Sequence, residues 1–289
     1  MMKVKLLDND WTVQISDIDV KNITVGEGKI IGKLFLSNLV LVIKDQKLTA
    51  DQLRNFCENF GKVNTYSRSK KRERLAKPVA VADGVARVTG ALNADGVPGL
   101  FGMKEELGWH TNGMESHTNI FHGAAFYGVS GTKGSRTSFM NNAKSYQDLT
   151  DSMKNKIKDM KAFTKTPEKD FNDPITKLRQ SQSQDWWVKR SKVAKKIYFV
   201  NEIGTEGMFY PHLAIDEIVG YNEDEQNETK EFLENHITQE KYLYHHDWED
   251  GDIVLSEQRM TQHKRWAFDD IANRLLYRIS FDFRNVVGK

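Results

Sequence analysis

Apolar positions along this chain follow two rhythms. Over residues 49–61, TADQLRNFCENFG, Leu53, Phe56, Cys57 and Phe60 recur at helical spacing, Thr49 stands where an N-cap belongs, and Gly61 follows as a stop. Elsewhere the apolar residues come in short dense runs. Residues 29–45, KIIGKLFLSNLVLVIKD, are interrupted by Ser37 and Asn38, and they read either as two short strands or as a helix end followed by a buried strand. HGAAFYGVS (122–130) reads as a strand, and GTKGSRTSFM turns at Gly131 and Gly134 into another. NAKSYQDLTDSMKNKIKDMKAF predicts helix, and KKIYFVN, YLYHHDWEDGDIVLSEQ with a turn at Gly251, and NRLLYRISFDF return to strands.

Three stretches break these patterns. Residues 66–75 form a basic polar run that predicts a solvated face, and 91–108 are glycine-rich and predict a loop. Residues 165–192 are polar, carry Pro167, Pro174, Trp186 and Trp187, and predict an insertion or lid. Short strands at both ends of a helical middle predict one domain over 1–289. Its class is α+β with a mainly β core and added helices, not alternating βαβ units.

Charge narrows the partners. Lys plus Arg (42) nearly cancels Asp plus Glu (40), so the net charge of +2 argues for neither nucleic acid nor an anionic membrane surface. The single cysteine, Cys57, cannot form an internal disulfide, and no apolar run reaches the length of a membrane span or a signal peptide. The expectation is a cytoplasmic protein with a small-molecule partner, and homo-oligomer formation stays open.

Five positions carry candidate chemistry: His110, Asn112, His263, Arg274 and Arg278. A His two residues before a carboxylate supplies two of the three protein ligands of a non-haem iron site, but LGWHTNGM has Asn112 where that carboxylate would stand. Arg274 and Arg278, four apart in NRLLYRIS, share a face of either a helix or a strand. The Leu, Tyr and Ile between them favour the strand. Two arginines on one side of a strand make sense where that side lines a cavity holding a carboxylate.

The ordered set of motifs resembles the taurine dioxygenase family of Fe(II)- and 2-oxoglutarate-dependent oxygenases. LVLVIKDQKLTADQLRNFCENFGKV is similar to that family's first strand and helix, and LGWHTNG to its "WHtD" metal motif. GSRTSFMNNAKSYQDLTDSMKNKI is similar to "GGdTlFanm..AyeaLp", WEDGDIVLSEQRMTQH to "W.pGDlviwDNr.tlH", and RLLYR to "RrllhR". The resemblance implies a double-stranded β-helix, a jelly-roll, cupin-like core whose open end holds Fe(II). It implies that His110 and His263 bind the metal, with Asn112 in the third place. Arg274 and Thr137 would hold the distal carboxylate of 2-oxoglutarate, and Arg278 would face a small anionic or zwitterionic substrate. Trp109 is a candidate pocket wall. The activity implied is hydroxylation with O₂ as oxidant.

Two departures bear on that activity. Asn112 removes a negative charge from the metal's donor set, and SEQR at 256–259 replaces "WDNR" beside His263. Glu115 and His117 are the nearest substitute ligands by sequence, and the resemblance places them in a following strand. Asn112 permits three readings: an oxygenase with an amide ligand, a catalytically silent binding protein on the same fold, or slow deamidation at Asn112-Gly113 that recreates the acid. A halogenase-like site would need a small residue at this position. On the sequence alone Asn112→Asp is near-isosteric, and the expectation is tighter metal binding with no repacking.

Overall fold

The computed structural model describes residues 2–65, 79–112, 122–165, 191 and 193–283. Two β-sheets face each other. The larger has eight strands in the order Lys3–Leu6, Thr12–Ser16, Val40–Ile43, Ile253–Glu257, Gly123–Ser130, Leu275–Phe281, Val85–Val88, Ala80–Ala82. The smaller has four, ordered Leu243–Asp247, Arg136–Asn141, Thr261–Arg265, Leu107–His110. Neighbouring strands are antiparallel except Thr12–Ser16 with Val40–Ile43. This is the double-stranded β-helix, with helices packed outside both sheets.

Side-chain alternation explains the dense apolar runs. Val40, Val42, Ala124, Phe126, Val254 and Leu276 face the smaller sheet. Their neighbours Leu41, Ile43, Ala125, Tyr127, Ile253 and Leu255 face a second core on the opposite side. That second core is filled by Ile31, Phe35 and Leu36 of the helix Val25–Asn38, and by Leu53, Phe56 and Cys57 of the helix Ala50–Glu58. A strand covered on both faces cannot alternate polar with apolar, so a run such as VLVI reads as continuous hydrophobicity.

Of the two readings open for residues 29–45, the helix end followed by a buried strand is the one observed. The helix at 49–60 has its Thr49 cap: Thr49 Oγ1 accepts from the Gln52 backbone N–H while the Gln52 side chain accepts from Thr49 N. The helix expected over 142–163 is broken into Asn142–Gln147 and Asp151–Asp159, followed by the strand Lys161–Thr164. Thr150 restarts the helix as an N-cap, accepting from Met153 N. The loop expected over 91–108 ends in the strand Leu107–His110. The runs at 66–75 and the bulk of 165–192 lie outside the described residues. Among the described residues, no helix is long and apolar enough to cross a membrane.

Phe35, fully buried, meets Phe60, Phe281 and Phe283 with ring centroids 5.2–6.4 Å apart. Phe35→Ala removes a ring that helix and sheet both enclose, and it is expected to cost about 3–5 kcal/mol, read as a lower urea midpoint at unchanged slope.

Candidate active site

Strand pairing brings the two candidate histidines together. Thr261–Arg265 lies between Leu107–His110 and Arg136–Asn141, and its register sets His263 beside His110 on one side and Phe139 on the other. Both histidines are buried, and their ring centroids are 4.1 Å apart. Phe126 from the larger sheet stands 5.1 Å from the His263 ring, and Phe101 stands 6.1 Å from His110. Phe101 adopts a left-handed φ of 51°, a costly conformation for a bulky residue.

The protonation pattern suits a cation. His110 Nδ1 lies 2.7 Å from the Gly108 carbonyl, which can only accept, so Nδ1 carries the hydrogen and a neutral ring keeps its lone pair on Nε2. Burial, then the charges of His110 and Arg278, holds the His263 pKa well below the usual histidine value, so that ring is neutral. His263 Nδ1 is buried with no hydrogen-bond partner among the described residues. A neutral His263 ring beside His110 offers a lone pair to a divalent ion, whereas two imidazolium ions there would repel. Among the described residues no three His, Cys, Asp or Glu side chains converge. Asn112 is buried two residues beyond His110, and an amide oxygen ligates hard or borderline cations. The described residues His110, Asn112 and His263 therefore fit a metal ion through imidazole nitrogens and an amide oxygen.

Arg274 is the second feature. It is 1% exposed, immediately before the strand Leu275–Phe281, and its Nε donates to Ser135 Oγ at 3.0 Å. Its Nη1 is buried without a partner among the described residues. Burial first, and the charge of Arg265 second, pushes its pKa down to about 9. A guanidinium in this state lacks a counter-ion, and a carboxylate ligand would supply one. Its position depends on Gly131, whose φ of +63° suits a residue without a side chain. A Cβ there would lie 2.3 Å from the Asn273 carbonyl oxygen. Ser135, Thr137 and Phe139 alternate along one face of their strand, so that face runs from Arg274 towards His263. Thr137, buried midway, accepts from Trp248 Nε1 at 2.9 Å, which leaves its hydroxyl hydrogen to be donated elsewhere.

Arg278 is half-buried in Leu275–Phe281, paired with Phe126, and its charge reaches His263. Trp109 corrects the expectation of a pocket wall. It packs against the cluster around Met140 and Tyr146, and neighbouring strand residues point to opposite faces, so it lies on the face of its strand opposite His110. Trp266, 40% exposed, donates to Ser138 Oγ on the outer face. Gly113, Glu115, His117, Trp186 and Trp187 lie outside the described residues. Sequence reasoning missed Ser135, Phe126 and Gln258. The last accepts from both the backbone N–H and the side-chain amide of Asn112, at 3.0 and 2.8 Å. The replaced WDNR motif was the available signal for it.

A family model described as Taurine catabolism dioxygenase TauD, TfdA family matches residues 3–280. Alpha-ketoglutarate-dependent 2,4-dichlorophenoxyacetate dioxygenase of Burkholderia sp. (strain RASC) is 25% identical over 253 residues, 83% of this chain and 80% of that protein. Pentalenolactone F synthase of Streptomyces arenae is 28% identical over 85 residues, 29% of this chain and 28% of that one. A taurine dioxygenase from Burkholderia xenovorans superposes with a TM-score of 0.74 at 20% identity, over 97% of this chain and 89% of that chain. AAD-2, solved in complex with Mn(II) and N-oxalylglycine, gives 0.72 at 19% over 97% of both. These structural likenesses speak for the fold.

The neutral state of His263 has a pH signature. The unfolded chain protonates this ring near 6.5 and the folded chain only well below, so its contribution to stability is whole above about pH 6.5 and lost as the pH falls. Urea unfolding of metal-free protein in chelator at pH 7.5 and 5.5 is expected to show this loss, with a slope from this ring of up to about 1.4 kcal/mol per pH unit. His263→Gln is expected to flatten the pH dependence by that amount.

Proposed function

The chain belongs to the taurine catabolism dioxygenase TauD, TfdA family and is a 2-oxoglutarate-dependent dioxygenase using Fe(II) and O₂. From that premise we propose that His110, Asn112 and His263 hold the metal and that Arg274 and Thr137 receive the distal carboxylate of 2-oxoglutarate. Arg278 then engages a small anionic or zwitterionic substrate that is hydroxylated. The observation that carries this reading is the buried Arg274 guanidinium with an unpartnered Nη1. An uncompensated buried charge is costly, and a protein keeps it where a ligand supplies the opposite charge.

When bound, the metal supplies the oxidation: 2-oxoglutarate, O₂ and a substrate C–H become succinate, CO₂ and an alcohol. The chain's own residues position and shield. His110 is oriented by the Gly108 carbonyl, so its ring presents Nε2 without rotational search. Arg274, pre-set by Ser135 and the Gly131 turn, binds the far carboxylate as a planar fork, and Thr137 adds a hydroxyl donor beside it. Phe126 and Phe139 against His263 exclude water from the metal's side of the pocket. Arg278 attracts an anionic group while its charge helps keep His263 deprotonated.

A second reading, a binding protein on this fold that holds its ligand without turnover, is favoured by one observation, the amide at position 112. The two are separated by incubating purified protein with Fe(II), 2-oxoglutarate and O₂. Succinate and CO₂ are expected, and 2-oxoglutarate binding without succinate would establish the silent protein instead.

Arg274→Leu distinguishes a ligand-holding arginine from a structural one. Removing a buried charged partner is expected to weaken 2-oxoglutarate binding by about 30-fold or more, read by calorimetry. Because the charge is unpaired among the described residues, the same variant is expected to match or exceed wild type in thermal midpoint without 2-oxoglutarate. A destabilised variant with unchanged affinity would remove Arg274 from the site.

A further inference from the structure

Gln258 sits in a hydrogen-bond chain whose direction is fixed at both ends. The Thr261 hydroxyl donates to the Glu257 carbonyl, which can only accept. Thr261 Oγ1 is then left to accept from the Ser256 hydroxyl, 2.8 Å away. Ser256 Oγ, its hydrogen committed, accepts from Gln258 Nε2 at 3.0 Å, and the Ser256 carbonyl accepts from the same nitrogen at 3.3 Å. Gln258 Oε1 must therefore face the other way. There it meets the Asn112 backbone N–H, which can only donate, at 3.0 Å, and Asn112 Nδ2 at 2.8 Å. The Thr111 hydroxyl ties down the Gln258 carbonyl at 2.6 Å. Gln258 and Ser256 are fully buried, and Asn112, Thr111 and Thr261 are 6% exposed or less, so water has little access to reverse any of these bonds. The orientation of both amides follows from the network and not from convention.

We infer that Gln258 is a positioning residue that selects an amide, in preference to a carboxylate, at position 112. It presents an acceptor where a carboxylate would offer only another acceptor, and an Asn side chain offers Nδ2–H. With Nδ2 committed, Oδ1 is the one atom of the Asn112 side chain left to ligate a cation. Asn112 and Gln258, far apart in the chain, thus form one hydrogen-bonded unit. The near-isosteric Asn112→Asp exchange is not electrostatically simple. It sets a carboxylate oxygen against Gln258 Oε1 unless Gln258 turns over and gives up both bonds to Ser256. That Asn112 ligates the metal rests on the proposed function, whereas the matching of Gln258 to Asn112 does not.

The test is a double-mutant cycle with Asn112→Asp and Gln258→Met, measured on the whole chain by thermal unfolding without metal and by Mn(II) titration calorimetry without 2-oxoglutarate. Methionine keeps the length and removes the acceptor, and Gln258→Leu carries the same cycle should the methionine variant not fold. In the wild-type background Asn112→Asp is expected to lower the metal-free midpoint by about 5 °C, and in the Gln258→Met background by much less. Equal losses in both backgrounds overturn the matching. Gln258→Met alone is expected to weaken Mn(II) binding about tenfold, because the amide at 112 is no longer held with its oxygen free. Coupled midpoints with unchanged Mn(II) affinity would leave the matching standing and remove Asn112 from the metal's donor set.

Discussion

The register of one strand is the constraint on which the site depends. Thr261–Arg265 is paired on both edges, and His263 faces the pocket because the same residue is opposite His110 on one edge and Phe139 on the other. A slip of one residue would turn His263 to the outer face and bring Lys264 in. The slip is opposed from several directions. The pairing with Arg136–Asn141 runs without a break over five residues, Gln262 Nε2 donates to the Tyr210 carbonyl on the outer side, and Arg265 ties the carbonyls of Met103 and Glu105. The proposed metal ligands, the loop beside them and the outer layer of the small sheet are therefore set by the same register.

How far this was legible in the residues depended on how locally each feature is encoded. The helix at 49–60 announced itself because cap, period and stop all lie within thirteen residues. His110, His263, Arg274 and Arg278 stood out through the resemblance of the ordered motifs, and strand pairing does bring the two histidines together. The smaller sheet was harder. Leu107–His110 is four residues long and opens in a glycine-rich stretch, and Thr261–Arg265, TQHKR, has hardly an apolar side chain because its inner face carries the site. Trp109 was misplaced because a bulky aromatic beside a ligand suggests a pocket wall, and only the pleat separates the two faces. The replaced motif at 256–259 flagged the neighbourhood of Gln258, but not its pairing with Asn112, which is 146 residues away.

Charge organises the pocket more than shape does. Among the described residues proposed for the site, His263 is held neutral, Asn112 contributes no charge, and Arg274 and Arg278 are cationic, which is a positive excess. In a site with an acidic ligand part of the metal's charge is balanced by protein. With the proposed donor set the balance falls to the bound anions, and metal and 2-oxoglutarate are then expected to favour one another's binding.

Arg274 also bears on the end of the catalytic cycle. The carboxylate proposed to sit against it is untouched by the oxidation, and succinate keeps the same terminal group, so this arginine grips spent and fresh ligand alike. Turnover then requires that the difference between them be felt at the opposite end of the molecule, where a keto acid has become a simple carboxylate. On the proposed placement, an anchor blind to the reaction's progress does nothing to speed departure of the co-product, and release has to be driven from the end of the molecule that the oxidation has changed.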